Sequence, residues 1–373
     1  MRSSAFSAVI SGFLCLSSLA FAQTDASKYA QAHAGFQLRL DAVGSDKETG
    51  GTDVKSQGYT VKTARMSVSG DLSDSLSYVV RLDVKDALYT DDSAGPDTSI
   101  AALERAYIDQ RLLPGLVLRL GRFPMMTLSI ESDYSSMDRY YDSYILGVVA
   151  YKVAPITTGA DLSYTVAGQT LTLQSTNGVQ EVSGPGRGAQ KGGDLSWAVG
   201  YRGRLLGGIV RPIISYDRFT RIRNGSGVDR DGKAIYTAWA VGSLFTYAHA
   251  DLELEYDTFA KPAFTSHTFD AAGQATVVDN KDVKINSVIG QIAYNAMESG
   301  LRPFFKMSRD VEKTDGDESF KANRNALGVE WRPGPKNVRY HAVIVDKYDA
   351  DGHQGPVVHI NERQYIVGMA AKI

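Results

Sequence analysis

Asp251-Leu252-Glu253-Leu254-Glu255-Tyr256-Asp257 decides the fold class. Every second residue is a carboxylate and every residue between is apolar, a period that an extended strand sorts into one charged and one apolar face. A soluble sheet turns such an apolar face onto a packed core, whereas a transmembrane barrel turns it to lipid and its charged face to water. The alternation recurs in Phe36-Gln37-Leu38-Arg39-Leu40, in Tyr78-Val79-Val80-Arg81-Leu82-Asp83-Val84, in Leu116-Val117-Leu118-Arg119-Leu120 and in Val338-Arg339-Tyr340-His341-Ala342-Val343-Ile344. No helix of length reads among them.

From about Gly35 onward the chain repeats this unit, and its connections alternate between short and long. Short ones read at 72–75, 113–115, 206–208, 248–250, 297–300 and 333–336. Long ones, rich in Gly, Asp and Lys, read at 43–58, 87–99, 124–142, 177–194, 218–234, 259–282, 310–322 and 347–362. Tight turns on one side and long loops on the other are the asymmetry of outer-membrane barrels. Reading 159–177 as a hairpin around Ala167-Gly168-Gln169 gives seventeen strands and makes two successive strands run the same way. Reading Leu162 to Thr176 as one strand interrupted at Gly168 restores the alternation. The expectation is an all-β, sixteen-stranded antiparallel transmembrane barrel, sixteen being even as in bacterial barrels.

Both ends agree. Tyr365, Val367, Met369, Ala371 and Ile373 alternate up to the last residue, giving a closing strand with an apolar face and a girdle tyrosine. A β-sandwich shares the alternation but leaves the regular long loops unexplained. Met1-Arg2, the uncharged stretch Ala5 to Phe21 and Ala20-Phe21-Ala22 read as a signal peptide over 1–22, followed by a short segment 23–32 and the barrel over 33–373. A spanning anchor is the alternative, but small and hydroxylated residues dilute the stretch and no basic cluster follows it. Cys15, the one cysteine, lies inside that peptide, so disulfides and thiolate metal sites are excluded from the mature chain. With a net charge of -2, no nucleic-acid partner is expected.

If the apolar faces meet lipid, the opposite faces line water. Arg39, Arg65, Arg81, Arg105 and Arg119 then fall on the lumenal face, as do Arg202, Arg211, Arg302, Lys306, Arg324 and Arg339 further on. On a lipid face at mid-depth each would cost about 2–4 kcal/mol. The alternative for any one of them is a rim residue paired with a neighbouring acid. Asp251, Glu253, Glu255 and Asp257 form an acidic stripe on one strand. Same-face neighbours lie about 6–7 Å apart, too far to share one hard cation unaided, so the stripe reads as a charged channel wall. The connection 124–142 carries Glu131, Asp133, Asp138 and Asp142 against Arg139, a formal charge of -3, with Tyr134, Tyr140 and Tyr141.

Lys62-Thr63-Ala64-Arg65-Met66-Ser67-Val68-Ser69-Gly70 with Leu76-Ser77-Tyr78 and Arg81-Leu82-Asp83 resembles the second and third strands of the phosphate-selective porin O and P family. Leu103-Glu104-Arg105-Ala106-Tyr107-Ile108-Asp109 and Leu116 to Gly121-Arg122-Phe123-Pro124 resemble its fourth and fifth. The likeness is clear over about 60–125 and architectural beyond. It implies a sixteen-stranded porin, usually trimeric, with a basic lumen, inserted among outer-membrane lipid and lipopolysaccharide by the barrel-assembly machinery. It also implies that 124–142 folds inward as the constriction, where composition alone would equally allow an outer loop. An acidic constriction departs from the family's lysine- and arginine-rich anion path. The reading is therefore passive diffusion of small hydrophilic solutes or ions with general or weak selectivity, without cofactor, phosphate selectivity being the narrower alternative. A barrel hydrolase needs a nucleophile or water beside a His and a carboxylate. His33, His249, His267, His341, His353 and His359 are scattered, so no enzyme is expected. A receptor barrel using the loops at 218–234 and 259–282 is a third class.

Overall fold

The computed structural model describes residues 32–84, 102–125, 128, 130–133, 137–149, 156–177, 179–182, 195–224, 233–269, 275–296, 299–334, 337–352 and 357–372. The expected signal peptide, nearly all of 23–32 and Ile373 lie outside them. The strands are β1 (Ala32–Thr49), β2 (Thr52–Ser73), β3 (Leu76–Asp83), β4 (Ala102–Leu113), β5 (Leu116–Pro124), β6 (Ile156–Val166), β7 (Gln169–Asn177), β8 (Val179–Val182), β9 (Leu195–Arg202) and β10 (Val210–Asn224). They continue as β11 (Lys233–Tyr247), β12 (Ala250–Lys261), β13 (Phe264–Phe269), β14 (Ala275–Asn280), β15 (Val283–Tyr294), β16 (Leu301–Thr314), β17 (Asp317–Trp331), β18 (Val338–Asp351) and β19 (Val358–Lys372). Two short helices, α1 (Ile130–Asp133) and α2 (Tyr144–Val148), lie in the connection between β5 and β6.

Sixteen of these strands pair antiparallel around a closed barrel, with β1 bonded to both β2 and β19. β8 adds a short parallel contact to the loop end of β10, and β13–β14 is a separate hairpin inside a long connection. Among the described residues no helix is long and apolar enough to cross a membrane; strands do the crossing.

The count of sixteen is reached differently from the sequence reading. β6 and β7 are a true hairpin, with Val166 opposite Gln169 and positive φ at Ala167 (47°) and Gly168 (77°). Two successive left-handed residues make the primed turn whose twist matches paired strands. Parity is kept because the preceding connection runs past 142 to 155 and the apolar stretch from Tyr144 is helical. The connections expected at 43–58 and 310–322 are tight turns at Gly50-Gly51 and Asp315-Gly316, beyond which polar strands continue as a ribbon. The connection expected at 347–362 shortens to 352–357.

β12 shows how the faces sort. Leu252, Leu254 and Tyr256 are 40, 51 and 36% exposed on the outside, while Glu253, Glu255 and Asp257 are 1, 4 and 0% exposed inside. Outward rings pair across strands as Trp197–Tyr216, Trp239–Tyr256 and Trp331–Tyr340, at 5.4, 5.3 and 5.7 Å between centroids. Offset aromatic pairs facing outward suit the lipid–water boundary.

Candidate functional site

The inside of the barrel is divided by the connection from Met125 to Val149. Its apolar residues Met125, Leu128, Ile145, Leu146 and Val149 pack on inward Ala198, Phe219, Tyr236, Ala238, Ala240, Phe259 and Ile285 of β9 to β12 and β15. Tyr141 continues that contact onto Ala293, Phe304, Ala326, Val343, Val345 and Ile366. Ala198, Ala238 and Ala240 leave the segment room among the larger side chains, because a bigger inward residue there would hold it off the wall.

Polar anchors fix its path. Glu255 Oε2 accepts from the Ile130 and Glu131 amides at 3.1 and 2.9 Å, and Asp310 accepts from those of Tyr144 and Ile145 at 3.3 and 3.2 Å. Carboxylates suit amides that have no partner of their own at the start of a helix. Glu131, wholly buried, accepts from Lys306 Nζ at 2.5 Å, from the Ser143 amide at 3.1 Å and from the Ser143 hydroxyl. Arg39 donates to the Met137 and Arg139 carbonyls at 3.2 and 2.7 Å and is held by Asp41 at 2.8 Å. Arg339 donates to the Met137 carbonyl and to Asp138 at 2.7 Å, and Arg324 to the Asp142 carbonyl at 2.7 Å. The Tyr140 hydroxyl donates to Glu330 at 2.9 Å, and burial together with the Glu330 charge raises its pKa, so the phenol keeps its proton.

The expected site residues thus divide into two groups. Arg39, Lys306, Arg324 and Arg339 face inward but are occupied in holding the segment. Glu253, Glu255 and Asp257 also face inward, yet they lie buried, and Glu255 is covered by α1; the acidic stripe is not an open water-facing wall. Asp251 stands apart at the turn end, accepting from Thr246 at 2.8 Å and Asn295 at 3.1 Å, with Arg302 at 3.8 Å. Arg211 donates to Thr246 at 2.9 Å, and Arg202 ends β9 on the same side. Arg139 pairs with Asp142 at 3.0 Å within the segment. For Asp133 only the backbone is described, and Tyr134 lies outside the described residues.

The second group stays accessible. Arg65, Arg81, Arg105 and Arg119 on β2 to β5 have side chains 16, 21, 30 and 32% exposed, against 1% for Arg39. Arg119 makes two bonds to Asp109, at 2.7 and 2.9 Å, and lies 4.1 Å above the Tyr107 ring. Arg65, Arg81 and Arg105 converge on Glu104 at 2.8, 3.8 and 3.6 Å. Glu104, Asp41, Glu330 and Asp310 were not foreseen. Glu104 sits at a register shift of β4 against β3, where strict alternation would turn it outward. No group of three or more His, Cys, Asp or Glu able to hold a metal ion occurs among the described residues.

The family model described as phosphate-selective porin O and P matches residues 33–206. Over that stretch the chain is similar to the phosphate-selective porin O and P family. The barrel fold extends the likeness to the rest of the chain. An anion-selective porin from Comamonas acidovorans superposes with a TM-score of 0.63 at 10% identity, over 92% of this chain and 99% of that one. The outer membrane channel DcaP of Acinetobacter baumannii gives 0.62 at 12% identity, over 92 and 97%. OmpT, an outer membrane protein of Vibrio cholerae in its trimer form, gives 0.58 at 11% identity, over 92 and 99%. The sequence matches no curated protein. The family match over residues 33–206 and the barrel architecture support a channel of the Gram-negative outer membrane.

Proposed function

We propose that this porin is a general or weakly selective diffusion channel for small hydrophilic solutes and ions, narrowed by the segment from Met125 to Val149. The observation that carries this is the charge balance of the accessible wall. Arg65, Arg81, Arg105 and Arg119 are matched by Glu104, Asp83, Asp109 and Asp161, the last opposite Arg119 in register. Paired charges of both signs orient polar solutes while presenting little net potential to either ion. The segment facing them adds Asp138 and Asp142 against Arg139. Transport is passive and no enzymatic step is assigned. Purified porin in planar bilayers under a potassium chloride gradient should give a reversal potential close to zero. Liposomes should swell in small sugars and stop at a defined size. A reversal potential at the chloride limit, with current blocked by phosphate, would reject weak selectivity.

Phosphate or anion selectivity is the second reading. It is favoured by the family's description and by the anion-selective porin from Comamonas acidovorans, and the same reversal potential separates the two. We further infer a homotrimer, as OmpT of Vibrio cholerae has a trimer form, and export through a signal peptide cleaved after Ala22. N-terminal sequencing should begin at Gln23.

A further inference from the structure

Glu104 is the point where the alternation of β4 fails. Leu103 faces Leu82 and Arg105 faces Arg81, so one residue more lies on β4 than on β3 across this step. The extra residue of a bulge leaves the ladder and re-aims its side chain. Here it carries the Glu104 carboxylate inward, 8% exposed, into the midst of three arginines. Oε2 lies 2.8 Å from Arg65 Nε, and Oε1 lies 3.8 Å from Arg81 Nη1 and 3.6 Å from Arg105 Nε. Asp83, 3.6 Å from Arg65, is the next acid in the cluster. Arg119 is occupied separately by Asp109.

We infer that Glu104 is the residue that determines charge selectivity: a built-in counter-anion that masks three lumenal guanidiniums from passing anions. The inference rests on the diffusion-channel reading and deepens it. With Glu104 the cluster holds three positive charges against two negative; without it, three stand against one. Those guanidiniums line the accessible wall, so uncovering one charge acts on the ion path itself. A unit charge about 5 Å from an ion in water changes its energy by about 0.8 kcal/mol, which is on the order of fourfold in that ion's occupancy. Chloride gains what potassium loses.

The test is the reversal potential of full-length porin in planar bilayers under a potassium chloride gradient. Glu104→Gln should raise the chloride-to-potassium permeability ratio several-fold. Glu104→Asp, which keeps the charge, should bring it back toward the wild-type value, and Glu104→Gln combined with Arg105→Gln should do the same by removing one guanidinium. If Glu104→Gln does not fold, Arg105→Gln alone should shift the ratio toward potassium. An unchanged ratio in a folded, conducting Glu104→Gln channel, or one that Glu104→Asp shifts equally, overturns the inference, because a purely structural carboxylate would behave that way. Wild-type protein without conductance would instead reject the channel reading, and this inference with it.

Discussion

Lys306 and Glu131 show what a buried charge costs and what it secures. Lys306 lies on the inner face of β16 and Glu131 on α1 of the segment, the ammonium 4.8 Å above the Tyr141 ring and 2.5 Å from the carboxylate. Taken out of water singly, either group carries a desolvation penalty of several kcal/mol; together, with Ser143 completing the carboxylate's hydrogen bonds, they fasten the segment to β16. Lys306→Met should therefore cost about 3–5 kcal/mol, since it strands Glu131. Adding Glu131→Gln should recover much of that loss, a coupling that a double-mutant cycle measures as the unfolding midpoint of the barrel in denaturant. Equal and additive losses would show that the two residues act independently. Gly121 is a second point of constraint. Its φ is 135° and a Cβ there would stand 2.3 Å from the Ala106 carbonyl, so Gly121→Ala should lower the midpoint of the same titration, and an unaltered midpoint would contradict the close approach of β4 and β5.

At the scale of elements, the strands were legible and their joins were less so. A period of two survives any error at the ends, which is why β12, β18 and β19 could be read residue by residue. The hairpin between β6 and β7 was visible at Ala167-Gly168 but was set aside to keep the alternation, because nothing in the apolar stretch from Tyr144 marks it as helix rather than strand. The ribbons beyond Gly44 and Asp310 were hidden because polar strands in water have the composition of loops. Similarly, the register shift at Glu104 leaves no trace in composition, so its inward turn among Arg65, Arg81 and Arg105 could not be read from the alternation. Ala167 itself offers a test. An L-residue with φ of 47° is strained by about 1 kcal/mol, which Asn tolerates and a β-branched residue does not. Ala167→Asn should raise the unfolding midpoint slightly and Ala167→Val should lower it; the reverse order would mean that 166–169 is not the turn described. The segment offers another. Arg39 and Arg339 hold the Met137 carbonyl from two strands that flank β19, so replacing both by Met should loosen the passage and raise both the size and the noise of single-channel current.

For the molecule as a whole, the interior is divided by function between two sides of one barrel. On β10 to β12 and β15 to β18 the inward face makes most of the contacts that hold the segment, while Asp251, Arg302 and Arg324 keep side chains 20, 20 and 16% exposed. From β2 to β5 the inward face is open, and its arginines and acids alternate within a few ångströms of one another. Selectivity must come from this second side, across water, at distances where dissolved salt competes. The screening length is about 10 Å at 0.1 M salt and about 3 Å at 1 M. Whatever small preference the wild-type channel shows at low salt should therefore fade toward a permeability ratio of one as ionic strength rises, while its conductance grows in step with the salt. The anchors should not respond, because Lys306–Glu131 and Arg39–Asp41 lie away from bulk solvent, where screening is weak. Current noise should accordingly stay constant over the same range. A preference that persisted unchanged at 1 M would place the deciding charges in direct contact with the permeating ion, in a true binding site, and would shift the balance toward the phosphate-selective reading.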